Sequence, residues 1–101
     1  MIQYNQTTNI EASVEADWLA WMKEQQLPKI LDTGMFIQAR IFRLLDIEES
    51  VGTATYAVQL MSKTREHLDI YQMKYEPDLD KAHNQRYGDK AVSFRTMMKE
   101  V

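Results

Sequence analysis

Ile2-Gln3-Tyr4-Asn5-Gln6-Thr7-Thr8-Asn9-Ile10 alternates with a period of two. Ile2, Tyr4, Gln6, Thr8 and Ile10 fall on one side; Gln3, Asn5, Thr7 and Asn9 fall on the other. Successive side chains of a strand point to opposite faces, so the pattern predicts a half-buried strand. Its first side is mainly apolar, with Gln6 the exception, and its second is wholly polar. A sheet built from such strands has one packed face and one open face.

The period changes beyond this strand. Ser13 has the chemistry of an N-cap, with Glu15 and Asp17 where the helix dipole favours anions. Val14, Trp18, Trp21, Met22 and Gln25 recur at helical spacing. Pro28 cannot donate to residue 24 and disfavours the α region at Leu27. A kink or fresh turn is expected there, carrying Leu27, Ile30 and Leu31 inward, with Gly34 closing the helix. Residues 35–45 read as a second strand, apolar on both faces. An acidic turn, Asp46 to Gly52, leads to a third strand at 53–61. There Ala54, Tyr56, Val58 and Leu60 oppose Thr53, Thr55, Ala57 and Gln59. Ser62 then caps a second helical region carrying Leu68, Tyr71 and Tyr75. Pro77 restarts it, with Asp78 and Asp80 in the new first turn and Leu79, Ala82, His83, Arg86 and Tyr87 beyond. Gly88 closes it. In a last strand at 91–99, Val92, Phe94, Thr96 and Met98 oppose Ser93, Arg95, Met97 and Lys99.

The order is β-α-β-β-α-β, with no repeat, linker or low-complexity tract, so residues 1–101 are expected to be one α+β domain. This is the ferredoxin-like arrangement: right-handed crossovers put both helices on one face of a four-stranded antiparallel sheet. The helix side is expected to take Ile2, Tyr4, Ile10, Ile37, Ala39, Ile41, the apolar set of 53–61, and Val92, Phe94 and Met98.

Composition removes whole classes of chemistry. The chain has no cysteine, which excludes disulfides, thiolate metal sites and cysteine nucleophiles. With two scattered histidines, His67 and His83, no metal site is expected. There is no glycine-rich phosphate loop, no HExxH and no order supporting a Ser-His-Asp triad, so no cofactor is expected either. A net charge of −3 argues against nucleic acid or an anionic membrane as partner. No apolar run approaches the ~20 residues of a membrane span. Met1-Ile2-Gln3-Tyr4 enters the strand pattern without a leader-like segment, so a cytoplasmic location is expected.

The open face is the informative one. Its expected residues include Gln3, Asn5, Thr7, Asn9, Gln38, Arg40, Phe42, Leu44, Thr53, Thr55, Ala57, Gln59, Ser93, Arg95 and Met97, with two arginines and no carboxylate. Such a face suits cover by a second chain, and equally a lined cavity. The bland alternative is a wet face with arginine stems lying flat on it. Arg40 and Arg95 are the candidate ligand-binding residues, with Asn5, Gln38, Gln59 and Ser93 beside them. A guanidinium is a planar donor fork suited to carboxylate or phosphate, so a small anionic ligand is the expected guest. Pairing with acids of a partner chain would use the same arginines. RNA binding would need stacking aromatics on the first and third strands of this face, which carry none.

The chain also resembles a known family. The start Met1-Ile2-Gln3-Tyr4-Asn5, the stretch Trp18-Leu19-Ala20-Trp21-Met22-Lys23, the Leu27-Pro28 kink, Thr33-Gly34-Met35-Phe36, Thr55-Tyr56-Ala57-Val58-Gln59, and the end Phe94-Arg95-Thr96 with Glu100-Val101 are similar to a small bacterial family, frequent in Bacteroidetes, described only as a domain of unknown function. That family is similar to the dimeric α/β-barrel superfamily, which includes antibiotic-biosynthesis monooxygenase-like and muconolactone isomerase-like proteins. The resemblance implies a homodimer packed sheet face to sheet face. It implies no particular reaction. An uncharacterised small-molecule binding or structural module is the expected function, and a cofactor-independent monooxygenase- or isomerase-like enzyme the alternative. The family pattern often has a histidine before the kink, where this chain has Gln26.

Overall fold

The computed structural model describes residues 1–101. The elements are β1 (Ile2–Glu11), α1 (Ala12–Trp21), a π-helical turn (Met22–Gln26), α2 (Leu27–Asp32), β2 (Gln38–Arg43), β3 (Thr53–Ser62), α3 (Arg65–Ile70), a second π-helical turn (Tyr71–Tyr75), α4 (Glu76–Tyr87), a 3₁₀ turn (Gly88–Lys90) and β4 (Ala91–Lys99). The four strands form one sheet in the order β2-β3-β1-β4, with every neighbouring pair antiparallel. β1 lies in the middle, hydrogen-bonded to β3 on one side and β4 on the other. The β-α-β-β-α-β reading therefore holds.

Trp18, Ile10 and Leu68 are fully covered between helices and sheet, with Tyr4, Tyr56, Val58 and Leu60 beside them. Each such side chain contributes roughly 1.5–3 kcal/mol by leaving water. Phe36, ahead of β2, stacks edge-on against Tyr71 with 4.7 Å between ring centroids. β2 is shorter than the expected 35–45, and Ile37 is exposed rather than helix-side.

The two prolines act differently from a break. Leu27 N–H donates to the Met22 carbonyl and Glu76 N–H to the Tyr71 carbonyl, each five residues back. Pro28 and Pro77 lie in the first turn after these wide turns. A proline leaves the carbonyl four residues back without its donor. One extra residue in the preceding turn lets the helix continue past that gap. The same residue rotates the inward face: Gln26 is buried where Gln25 was expected, and Leu31 turns out to solvent. The caps also differ. α1 starts at Ala12 with no side-chain cap, so Ser13 is not one. Thr64, not Ser62, caps α3, its Oγ1 accepting from His67 N–H at 3.1 Å. Gly88, at φ +56°, closes α4 in the left-handed region that favours glycine.

The largest correction concerns β4. Arg95 lies opposite Gln6, Ser93 opposite Thr8 and Met97 opposite Tyr4, which puts all three on the helix side. Phe94 lies opposite Thr7, Val92 opposite Asn9 and Met98 opposite Gln3, on the open face. The expected assignment of both sets is reversed. With a side-chain period of two, a single residue decides which set faces in. The reason for the reversal is chemical: the carboxylates that pair with Arg95 stand on α4, over the helix side of this edge strand.

Candidate functional site

The open face is best described in rows that run across the sheet. One row is Phe42, Ala57, Thr7 and Phe94; the next is Arg40, Gln59, Asn5 and Thr96. A third begins with Gln38 and continues through Met61, Gln3 and Met98. The β4 edge of the face is mainly apolar, Phe42 is the apolar group of the β2 edge, and Gln59, Asn5 and Gln3 put amides in the middle. Phe42, Val92, Phe94 and Met98 are 44%, 65%, 64% and 43% exposed. Arg40 is the one cation that the strands place here, and Glu11, at the end of β1, the one acid. With the Gln38 amide oxygen turned towards Arg40, it accepts from Nε and Nη2 at 2.6 Å each. Gln3 donates to Gln59 at 3.4 Å, and Asn9 bridges the Thr53 and Thr55 hydroxyls at 3.0 and 3.1 Å. Asn5 donates to Thr7, but its buried Oδ1 has no donor in the chain.

Four of the six ligand-binding candidates, Arg40, Asn5, Gln38 and Gln59, thus share the open face. Arg95 and Ser93 do not join them. Ser93 Oγ meets Thr8 Oγ1 at 2.8 Å on the helix side. Arg95 is held by Glu76 through Nε at 3.0 Å, by Asp80 through Nη2, and by the Gln6 side-chain Oε1, which accepts from Nη2 at 3.1 Å. Burial opposes its charge, but Asp80 and Glu76 more than offset this and raise its pKa. Two carboxylates already satisfy this guanidinium, so it is not a free anion receptor.

Arg95 instead belongs to a buried polar cluster that hydrophobic patterning missed. Tyr4 Oη donates to Glu76 at 2.6 Å and accepts from Gln72 at 3.3 Å. Burial first, and the Glu76 bond second, push the Tyr4 hydroxyl up to about 12, so it serves as a donor and not a base near neutral pH. Burial raises Tyr71 still more, with the charge of Glu76 adding to it. Trp18 Nε1–H donates to His83 Nε2 at 2.9 Å, leaving the imidazole proton on Nδ1. Burial lowers the His83 pKa and favours this neutral form. Gln26 donates to the Leu79 carbonyl at 3.0 Å while its buried Oε1 lacks a partner. The cavity among these groups is about 20 Å³, room for one water and no substrate.

The same arrangement occurs twice more at the periphery. Tyr56 donates to Glu15 at 2.6 Å; Arg43 pairs with Glu15 at 2.9 Å and lies 5.8 Å from the Tyr56 ring centroid. Tyr87 donates to Asp17 at 2.8 Å; Arg86 lies 3.6 Å from Asp17 and 5.8 Å from the Tyr87 ring centroid. In each case a tyrosine hydroxyl, an acid and an arginine over the ring tie a helix to its neighbour. The Tyr4–Glu76–Arg95 group is a clasp of the same form, tying α4 to β1 and β4. One sequence signal could have found it: a tyrosine on an apolar strand face needs a hydroxyl partner. Glu76 and Asp80, four apart on one helix, supply the acids. No three His, Asp or Glu side chains gather as a metal site.

A βαββαβ chain with both helical segments on one face of a β2-β3-β1-β4 sheet is a ferredoxin-like protein, and three solved structures share the fold. HapK from Hahella chejuensis superposes with a TM-score of 0.73 at 10% identity, over 100% of this chain and 93% of that one. A dimeric ferredoxin-like protein from an uncultured marine organism gives 0.69 at 9% identity, over 99% and 97%. The de novo designed protein LFR1 1, with a ferredoxin fold, gives 0.50 at 15% identity, over 100% and 88%. No curated protein matches the chain. Residues 1–101 match the family described as a domain of unknown function, DUF4286, and the chain belongs to that family.

Proposed function

We propose that the chain is a homodimeric small-molecule binding or structural module whose open sheet faces pack together, acting in the cytoplasm. The observation that carries this reading is the apolar border of that face: Phe42, Val92, Phe94 and Met98 stand exposed around a polar middle. Val92 and Phe94 are adjacent on that face of β4, and exposed apolar patches mark interaction surfaces. One structural neighbour is described as dimeric, which supports self-association. Within the interface Arg40, flanked by Gln38, Gln59 and Asn5, meets either an acid of the partner or a small anionic ligand. The reading needs no catalytic step.

Light scattering at micromolar concentration tests the assembly. The expected mass is twice the 11.9 kDa of one chain, and a single-chain mass would overturn it.

A further inference from the structure

The largest hollow in the molecule lies at a corner of the sheet, away from the buried clasp. It is a cleft of about 440 Å³ at the end of the sheet where β3 leaves for α3. Lys63, Arg65 and Lys99 line it, with Ile2, Met97 and Met98 as its apolar wall. Strand pairing accounts for the convergence. Ile2 lies opposite Ser62 on β3 and Lys99 on β4, so the residues leaving β3 and the last residue of β4 meet at one corner. No carboxylate lines the cleft, although acids outnumber bases in the whole chain. Lys63 and Lys99 have no acid within salt-bridge distance. Arg65 is shared with Asp69 at 2.9 Å, a pair more than half exposed and therefore weak. Thr64 is occupied, its hydroxyl bonded to His67 Nδ1 at 2.6 Å.

We infer that this cleft binds a phosphate monoester carrying a compact apolar group. Three cations lining one cleft match a dianion better than a monoanion. Lysine serves as a point charge for phosphate, while the arginine fork adds directional bonds. The volume lies within the usual range for small-ligand sites, and the two methionines give a wall that adapts to the shape of the apolar part. Met97, Lys99 and Ile2 face the helix side of the sheet, so the cations stay accessible with the open face covered; Met98 alone is shared with that face.

Titration of the native chain with phenyl phosphate, followed by amide NMR shifts and by calorimetry, tests the site. Saturable shifts are expected at Lys63, Thr64, Arg65 and Lys99, with binding that weakens as salt is raised. Phenol should not bind, and inorganic phosphate should bind more weakly than the ester. Lys63→Ala and Lys99→Glu are expected to weaken binding about tenfold or more each, since each removes a charged partner. Both residues belong to the cleft rim, and the native-chain shift map stands without the variants. Absence of saturable shifts up to millimolar ester would overturn the proposal. So would shifts centred on Arg40, or affinity unchanged in both variants.

Discussion

The two faces of this sheet handle polarity in opposite ways. On the helix side, Tyr4, Tyr56, Arg43 and Arg95 each meet an acid supplied by a helix, and the bonds close at 2.6–3.0 Å. On the open face amides and hydroxyls bond sideways to one another, Arg40 has only Gln38, and the phenylalanines at the edges touch nothing that covers them. The difference is one of completeness. Most helix-side polar groups close within one chain, Gln26 Oε1 excepted, whereas the open face holds exposed apolar side chains that a second surface would cover.

The sharpest way to break this contrast is Phe94→Glu. A charge placed at the proposed interface should cost about 2–4 kcal/mol of association while leaving the fold intact. Sedimentation checks the first and circular dichroism the second. An unaltered dimer would mean that the open face is not its contact surface. On the completed side, Glu76→Ala should lower unfolding free energy by about 2–3 kcal/mol, read as a shift in urea midpoint. Removing one partner of a largely buried pair has a high cost, here moderated because Asp80 remains and Arg95 is one-third exposed.

Tyr56→Phe removes one hydroxyl from a peripheral clasp and should cost about 1 kcal/mol or less by the same assay. If it equalled Glu76→Ala, the buried clasp would have no special weight.

His83 gives the contrast a pH signature. Its folded pKa lies below the ordinary 6.5, lowered chiefly by burial. The unfolded chain therefore takes up the proton first, and stability must fall as pH drops below about 6.5. His83→Gln should flatten part of the decline in melting temperature between about pH 7 and pH 5.5. The smallest effect is expected for Arg40→Gln. It should leave chain stability within about 0.5 kcal/mol, as for other exposed positions. It should instead reduce the salt dependence of dimerisation.

The element order and the helix-side residues of β1 and β3 were legible because each alternation there is mainly apolar on one side only. β4 misled because both of its alternate sets are mixed. Val92, Phe94 and Met98 look like core, and nothing local reveals that Glu76 and Asp80 wait on the other side for Arg95. Pairing across distant segments decided the register, and hydropathy does not encode it. The π turns were hidden for a related reason. Pro28 and Pro77 announce a disturbance, but the extra residue that absorbs it shows only in which glutamine, Gln25 or Gln26, is buried.

The central claim is that the open face is completed by a second copy of the chain. An isotope-filtered NOE experiment on a mixture of labelled and unlabelled chain tests it directly. Interchain contacts from Phe42, Phe94, Val92 and Met98 are expected. Contacts confined to the helices, or none at all in a confirmed dimer, would contradict it.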